Sequence, residues 1–184
     1  MTETTLKRQT ITTTVDLDRL EAVISVSAAG AIHEIKRLFD SHDPLDALAV
    51  LKFGEAGKDP LDPQRSLNIL EQLNQTFTYL ASLAAARWLL NRHPECTPLI
   101  LNLGTASGFD ITSGCGRFVA ETFAVTHPKS NDKLRKDIEK VRKSEVAYRF
   151  VFFLSPIAAS KTMDEGVTVV QLDHPVMRSV GGPR

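Results

Sequence analysis

Apolar residues recur at helical spacing from Asp16 to Phe39, where Leu20, Val23, Ile24, Ala28, Ala31, Ile32, Ile35 and Leu38 share one face. That period predicts one amphipathic helix, capped by Asp16 or Asp18 and breakable at Gly30. Before it, Thr2 to Thr14 has no periodicity and reads as a frayed arm or an edge strand. Ser41-His42-Asp43-Pro44 is a turn leading into a short helix, Leu45 to Phe53, because proline suits a first helical turn. Gly54 to Pro63, rich in Gly, Asp and Pro, reads as a loop. The longest helix is expected from about Ser66 to Asn91, with Leu67, Leu70, Leu73, Phe77, Leu80 and Ala84 as its apolar stripe. Glu71, Asn74, Gln75 and Thr78 form a polar strip beside it, and Ala81, Ala84, Ala85 and Ala86 permit close approach to a sheet.

The pattern then changes period. Leu99 to Leu103, Phe109 to Ile111 and Phe118 to Val125 are short apolar runs separated by glycine-bearing breaks, which predicts a three-strand antiparallel meander. Asn131 caps a following helix with Leu134, Ile138 and Val141 on its inner stripe. Lys133, Lys136, Lys140 and Lys143 recur on roughly the opposite face. Tyr148 to Leu154 is apolar on both parities, so it reads as a strand buried on both faces, and Val167 to Leu172 as a last strand. A strand following a crossover helix can pair in parallel with the meander. The expectation is an α/β domain: an N-terminal helical extension, residues 1–62, and a three-layer α/β core, residues 63–184.

Composition narrows this picture. A chain of 184 residues can bury a core without disulfides or metal. Its two cysteines, Cys96 and Cys115, have neither zinc spacing nor the density of a secreted scaffold. The start of the chain lacks an apolar leader and no segment approaches a membrane span, so a cytoplasmic chain with no membrane partner is expected. Net charge is zero, which removes a global argument for nucleic-acid binding. Lys129 to Lys143 nevertheless holds seven basic residues against three acidic ones. A basic face, with Lys129, Lys136, Lys140 and Lys143 as phosphate contacts, is one reading; a solvated helix face is the other.

The candidate chemistry lies in the meander. Asp110 sits between Phe109 and Ile111, and Glu121 follows Val119 and Ala120, so both carboxylates are expected on neighbouring strands. Hard oxygen ligands suit Mg2+, which would polarise a phosphodiester and acidify the attacking water. The same pair can instead be edge-strand acids in salt bridges. Whether their faces coincide depends on a register that pattern does not fix.

Glu71 on a helix, Asp110 on the second strand, Glu121 on the third, then a lysine-bearing helix and a buried strand, together resemble the core of the PD-(D/E)xK nuclease superfamily, with its restriction-endonuclease-like fold. The resemblance covers about Leu67 to Leu154. It implies DNA as substrate, Asp110 and Glu121 as magnesium ligands, and Glu71 as an assisting acid. The tripeptide departs from the family pattern: it reads Glu121-Thr122-Phe123, with phenylalanine where the family has lysine. Lys133 is then the substitute that places the nucleophile, with Lys129 behind it. A two-fold dimer through the N-terminal helices would suit cutting of both strands. A second reading is a catalytically inactive module of the same fold, binding nucleic acid or a protein. A third rests on Leu99-Ile-Leu-Asn-Leu-Gly-Thr-Ala-Ser-Gly, which looks like the first motif of methyltransferases that bind S-adenosylmethionine and would require a helix next.

Overall fold

In the computed structural model, which describes residues 7–104, 107–128, 132–158, 163–164 and 166–178, the chain falls into two units. One is Asp18–Tyr79; the other is the chain up to Leu17 together with Leu80 onward. The boundary drawn from sequence at residue 62 falls inside a strand of the first unit.

The start of the chain forms an edge strand, β1 (Arg8–Ile11), followed by helix α1 (Thr14–Ser41). Asp16 is not the N-cap. Its Oδ2 reaches back to accept the Thr12 and Thr13 backbone N–H groups, each at 3.0 Å, which is the third-residue half of a capping box. Helix α1 runs through Gly30 unbroken and is longer than the helix that follows the loop region. Helix α2 (Pro44–Phe53) begins on its proline as expected.

The stretch read as a loop holds a hairpin, β2 (Gly57–Asp59) with β3 (Asp62–Leu67), which also takes Ser66 and Leu67 from the expected helix. Buried Asp59 organises it by accepting from Leu61 N–H at 3.0 Å, Arg65 at 3.1 Å and the Tyr79 hydroxyl at 3.3 Å. Helix α3 (Ile69–Arg92) is capped by Asn68, whose Oδ1 accepts the Glu71 N–H at 2.8 Å. Its first half is turned relative to the expected stripe: Leu70 and Leu73 are exposed, whereas Gln72 and Thr76 are buried. The reason is polar. Gln72 accepts the Lys58 N–H at 3.0 Å and donates to Ser27 Oγ at 2.9 Å, satisfying groups that an apolar side chain would leave unpaired.

From Leu80 onward the chain builds a mixed sheet. Strands β4 (Leu99–Asn102), β5 (Ile111–Ser113) and β6 (Phe118–Ala124) form the expected antiparallel meander, extended at one edge by β1. Helix α4 (Lys133–Arg142) carries the chain to β7 (Tyr148–Leu154), which pairs with β6 in parallel. Strand β9 (Val167–Gln171) adds in parallel to β7, with the short β8 (Met163–Asp164) outside it, giving the order β1-β4-β5-β6-β7-β9-β8. A last turn of helix, α5, spans Pro175–Arg178.

Strands β6 and β7 are buried on both faces over most of their length. Val119 and Phe123 join Val151 and Phe153 beneath Ile138 and Val141 of α4. On the other face Phe150 and Phe152 pack edge-on against Trp88 of α3, and Ser82 of that helix hydrogen-bonds Thr122 at 2.7 Å. Each buried phenylalanine contributes about 1.5–3 kcal/mol. Among the described residues no helix separates β4 from β5, so the strand, loop and helix order required by the methyltransferase reading is replaced by antiparallel strands. Among them, too, no helix is long and apolar enough to cross a membrane.

Candidate functional site

Asp110 lies in a bend one residue before β5, not within the strand as expected. Its carbonyl accepts the Asn102 N–H at 2.8 Å, which anchors the bend to β4. Register supplies what the sequence pattern left open. Ile111 faces Ala120 across the β5–β6 ladder, so the next position outward sets Asp110 opposite Glu121. The Asp110 carboxylate accepts from the Thr122 N–H at 2.7 Å and the Thr122 hydroxyl at 3.2 Å, which holds it against β6.

Glu121 alternates with the core residues Val119 and Phe123 along β6, on the face that α4 covers. Its carboxylate is buried and meets Lys140 of α4, with Nζ at 2.8 Å from Oε1. Burial pushes Glu121 up to about 7, the Asp110 carboxylate adds to this, and Lys140 opposes it. Asp110 is also raised, by burial first, against the Thr122 N–H and the charges of Lys140 and Lys133.

A third acid completes the group. Asp137 stands four residues after Lys133 and three before Lys140, so all three side chains lie along one flank of α4. It is buried; Lys133 Nζ approaches its Oδ1 at 2.7 Å, while among the described residues its Oδ2 has no hydrogen-bond partner. Its proton affinity is raised by burial, with repulsion from Asp110 among the smaller causes. Aromatic rings close the flank: Lys133 Nζ is 5.9 Å from the Phe123 ring and Lys140 Nζ is 5.6 Å from the Phe109 ring. Three carboxylates therefore face two ammonium groups, and the acids repel one another when all are ionised.

Of the residues read from sequence, Asp110, Glu121, Lys133 and Lys140 are brought together. The lysine stripe is split: Lys133 and Lys140 turn towards the acids, whereas Lys136 and Lys143 remain exposed. Lys129 lies outside the described residues. Glu71 belongs to the Asp18–Tyr79 unit, exposed in the first turn of α3. Asp137 was missed because it entered the sequence reading only as charge balance. Its spacing from Lys133 and Lys140, one helical turn to either side, was the available signal.

Among the described residues no three His, Cys, Asp or Glu side chains converge as a ligand set for a metal. The chain matches no protein-family model, no curated protein and no solved structure.

Proposed function

We propose that the protein is a metal-dependent nuclease of the PD-(D/E)xK kind, hydrolysing phosphodiester bonds of DNA. The observation that carries this reading is the pairing of Asp110 with Glu121 across β5 and β6, beside the lysines of the crossover helix. The order of helix, antiparallel meander, crossover helix and parallel strand agrees with it.

The donor set suits magnesium in its two-carboxylate form, since that ion keeps several waters and needs few protein ligands. Glu121 is raised by burial first and by repulsion from Asp110 second, and that repulsion is the electrostatic condition that a divalent cation relieves. When bound, the ion would supply Lewis-acid polarisation of the phosphate and an acidified water. The chain's own residues do the rest. The Thr122 N–H orients the Asp110 carboxylate. Lys133, held by Asp137 beside the Phe123 ring, carries the positive charge that the tripeptide lacks and would steady charge developing on the phosphate. Lys136 on the same helix and Lys143 at its C-cap, both exposed, would contact flanking phosphates without reading sequence.

Cleavage of supercoiled plasmid with magnesium or manganese tests this reading. Asp110→Asn and Glu121→Gln are each expected to lower the rate by more than roughly 100-fold, since even groups that only support metal ligands are worth 10- to 100-fold. Cleavage retained by both variants rejects the site.

A second reading is a non-catalytic module of the same fold that binds nucleic acid. Two observations favour it: Phe123 is buried in the core, and Glu121 already has Lys140 as its counterion. It predicts no cleavage by the parent and salt-sensitive DNA binding that Lys136→Ala with Lys143→Ala weakens.

A further inference from the structure

Cys96 closes a single 3-10 turn, Pro94–Cys96, leading into β4, and Cys115 sits in the turn between β5 and β6. The chain has no other cysteine. Strand pairing draws these distant positions together. Leu99 faces Ser113, and the contact continues outward as the Gly114 N–H donates to the Pro98 carbonyl at 2.6 Å. A Cβ at position 114 would lie 2.9 Å from both that carbonyl oxygen and the Pro98 ring, so the close approach depends on glycine. Cys115 follows Gly114 directly and Cys96 precedes Pro98 by two residues, so this contact brings the two thiols close enough for each to act on the other's ionisation.

The two thiols have opposite surroundings. Cys96 is fully buried, with Sγ 3.7 Å from Glu95 Oε1, and burial pushes its thiol up to about 11. Cys115 is exposed, with Sγ 3.6 Å from Ser113 Oγ. The Ser113 hydroxyl first, then the Arg117 backbone N–H, favour its thiolate and lower it below the ordinary thiol value. An exposed thiol eased towards its thiolate, beside a shielded thiol, is the arrangement of an attacking cysteine and its resolving partner.

We propose that Cys96 and Cys115 are a peroxide-sensitive dithiol, in which Cys115 is oxidised first and Cys96 resolves it to an intramolecular disulfide. The Cys115 thiolate attacks one oxygen of hydrogen peroxide and the O–O bond breaks. Hydroxide leaves, takes a proton from solvent to become water, and Cys115 becomes a sulfenic acid. The Cys96 sulfur then attacks the Cys115 sulfur, the S–S bond forms and the S–O bond breaks. The Cys96 proton departs with that hydroxyl as a second water. Two thiols lose two electrons, and one peroxide is reduced to two waters.

Intact-mass measurement of the full chain after exposure to hydrogen peroxide tests this without any substitution. The parent is expected to lose the mass of two hydrogens, to form no disulfide-linked dimer on a non-reducing gel, and to regain its mass with dithiothreitol. Cys96→Ala, or Cys96→Ser if the alanine variant does not fold by circular dichroism, is expected to trap the sulfenic acid as a dimedone adduct at Cys115. Cys115→Ala is expected to form no adduct under the same exposure. The proposal is overturned if the parent gains oxygen at Cys115 or forms linked dimers without losing two hydrogens. It is equally overturned if Cys96 reacts as fast in Cys115→Ala as Cys115 does in the Cys96 variant.

Discussion

Phe123→Lys, which gives the tripeptide the lysine that the proposed nuclease pattern calls for, is expected to unfold or severely destabilise the protein and not to raise cleavage. Phe123 is only 4% exposed and stacks on Phe153 with ring centroids 5.6 Å apart, beneath Ile138 and Val141. Lysine there loses the packing of a buried phenylalanine, a term of about 3–5 kcal/mol. It also places an unpaired ammonium in the core, with the like charge of Lys133 close by. Phe123→Leu, which stays apolar but leaves part of the space unfilled, is expected to lose about 1–2 kcal/mol and to remain folded. Urea midpoints for parent, Leu and Lys variants make the comparison. A folded lysine variant of parental stability would mean that position 123 can reach water, and the assignment of its role to Lys133 would fall.

Without divalent cations, stability is expected to fall as pH rises from about 4.5 to about 7, and Glu121→Gln is expected to remove most of that fall. Glu121 has an ordinary value of 4.5 and is raised to about 7 in the fold. The native state therefore holds its proton where the unfolded chain has already released it, and the stability this confers is lost as pH climbs through the folded value. The difference is on the order of 3 kcal/mol, by 1.36 kcal/mol for each unit. Asp110 and Asp137 are raised in the same direction, so a smaller residual slope persists in the variant. Lys140→Met deprives the ionised Glu121 of its counterion. It is expected to deepen the fall above neutrality by about 2 kcal/mol, less than for a fully buried pair because the lysine is half exposed. Combining it with Glu121→Gln is expected to recover most of that loss, as coupled neighbours do. Thermal or urea unfolding across the pH range in chelator reads both effects; a Glu121→Gln profile parallel to the parent's would show that this carboxylate is solvated.

Much of the sheet was legible because strands buried on both faces leave a strong pattern. Tyr148 to Leu154 reads as a core strand and is one, and the glycine breaks mark the meander. The β2–β3 hairpin was not legible: Asp62–Leu67 has no β-branched or aromatic residue, and its order comes from buried Asp59 reaching Arg65 and Tyr79. Periodicity assigned the first half of α3 the wrong face because Gln72 and Thr76, polar in sequence, make their hydrogen bonds inside. In the site, Asp110 and Glu121 stood out as acids within apolar runs, but their pairing is a matter of register, which a period of two does not determine. The direction of Lys133 and Lys140 was hidden for a related reason. Both lie at the border of the α4 inner stripe, where a long side chain can reach over its apolar neighbours to a buried acid.

The most direct test is a calorimetric titration of magnesium, and of manganese, into the parent and into a variant carrying both Asp110→Ala and Glu121→Ala, each repeated with duplex DNA present. Binding in the parent that is lost in the double variant, with circular dichroism showing both folded, is the predicted result and makes the strand pair a metal site. Equal binding by the two proteins, or none by the parent even with DNA, would contradict it and leave the acids and lysines as a buried ion-pair network.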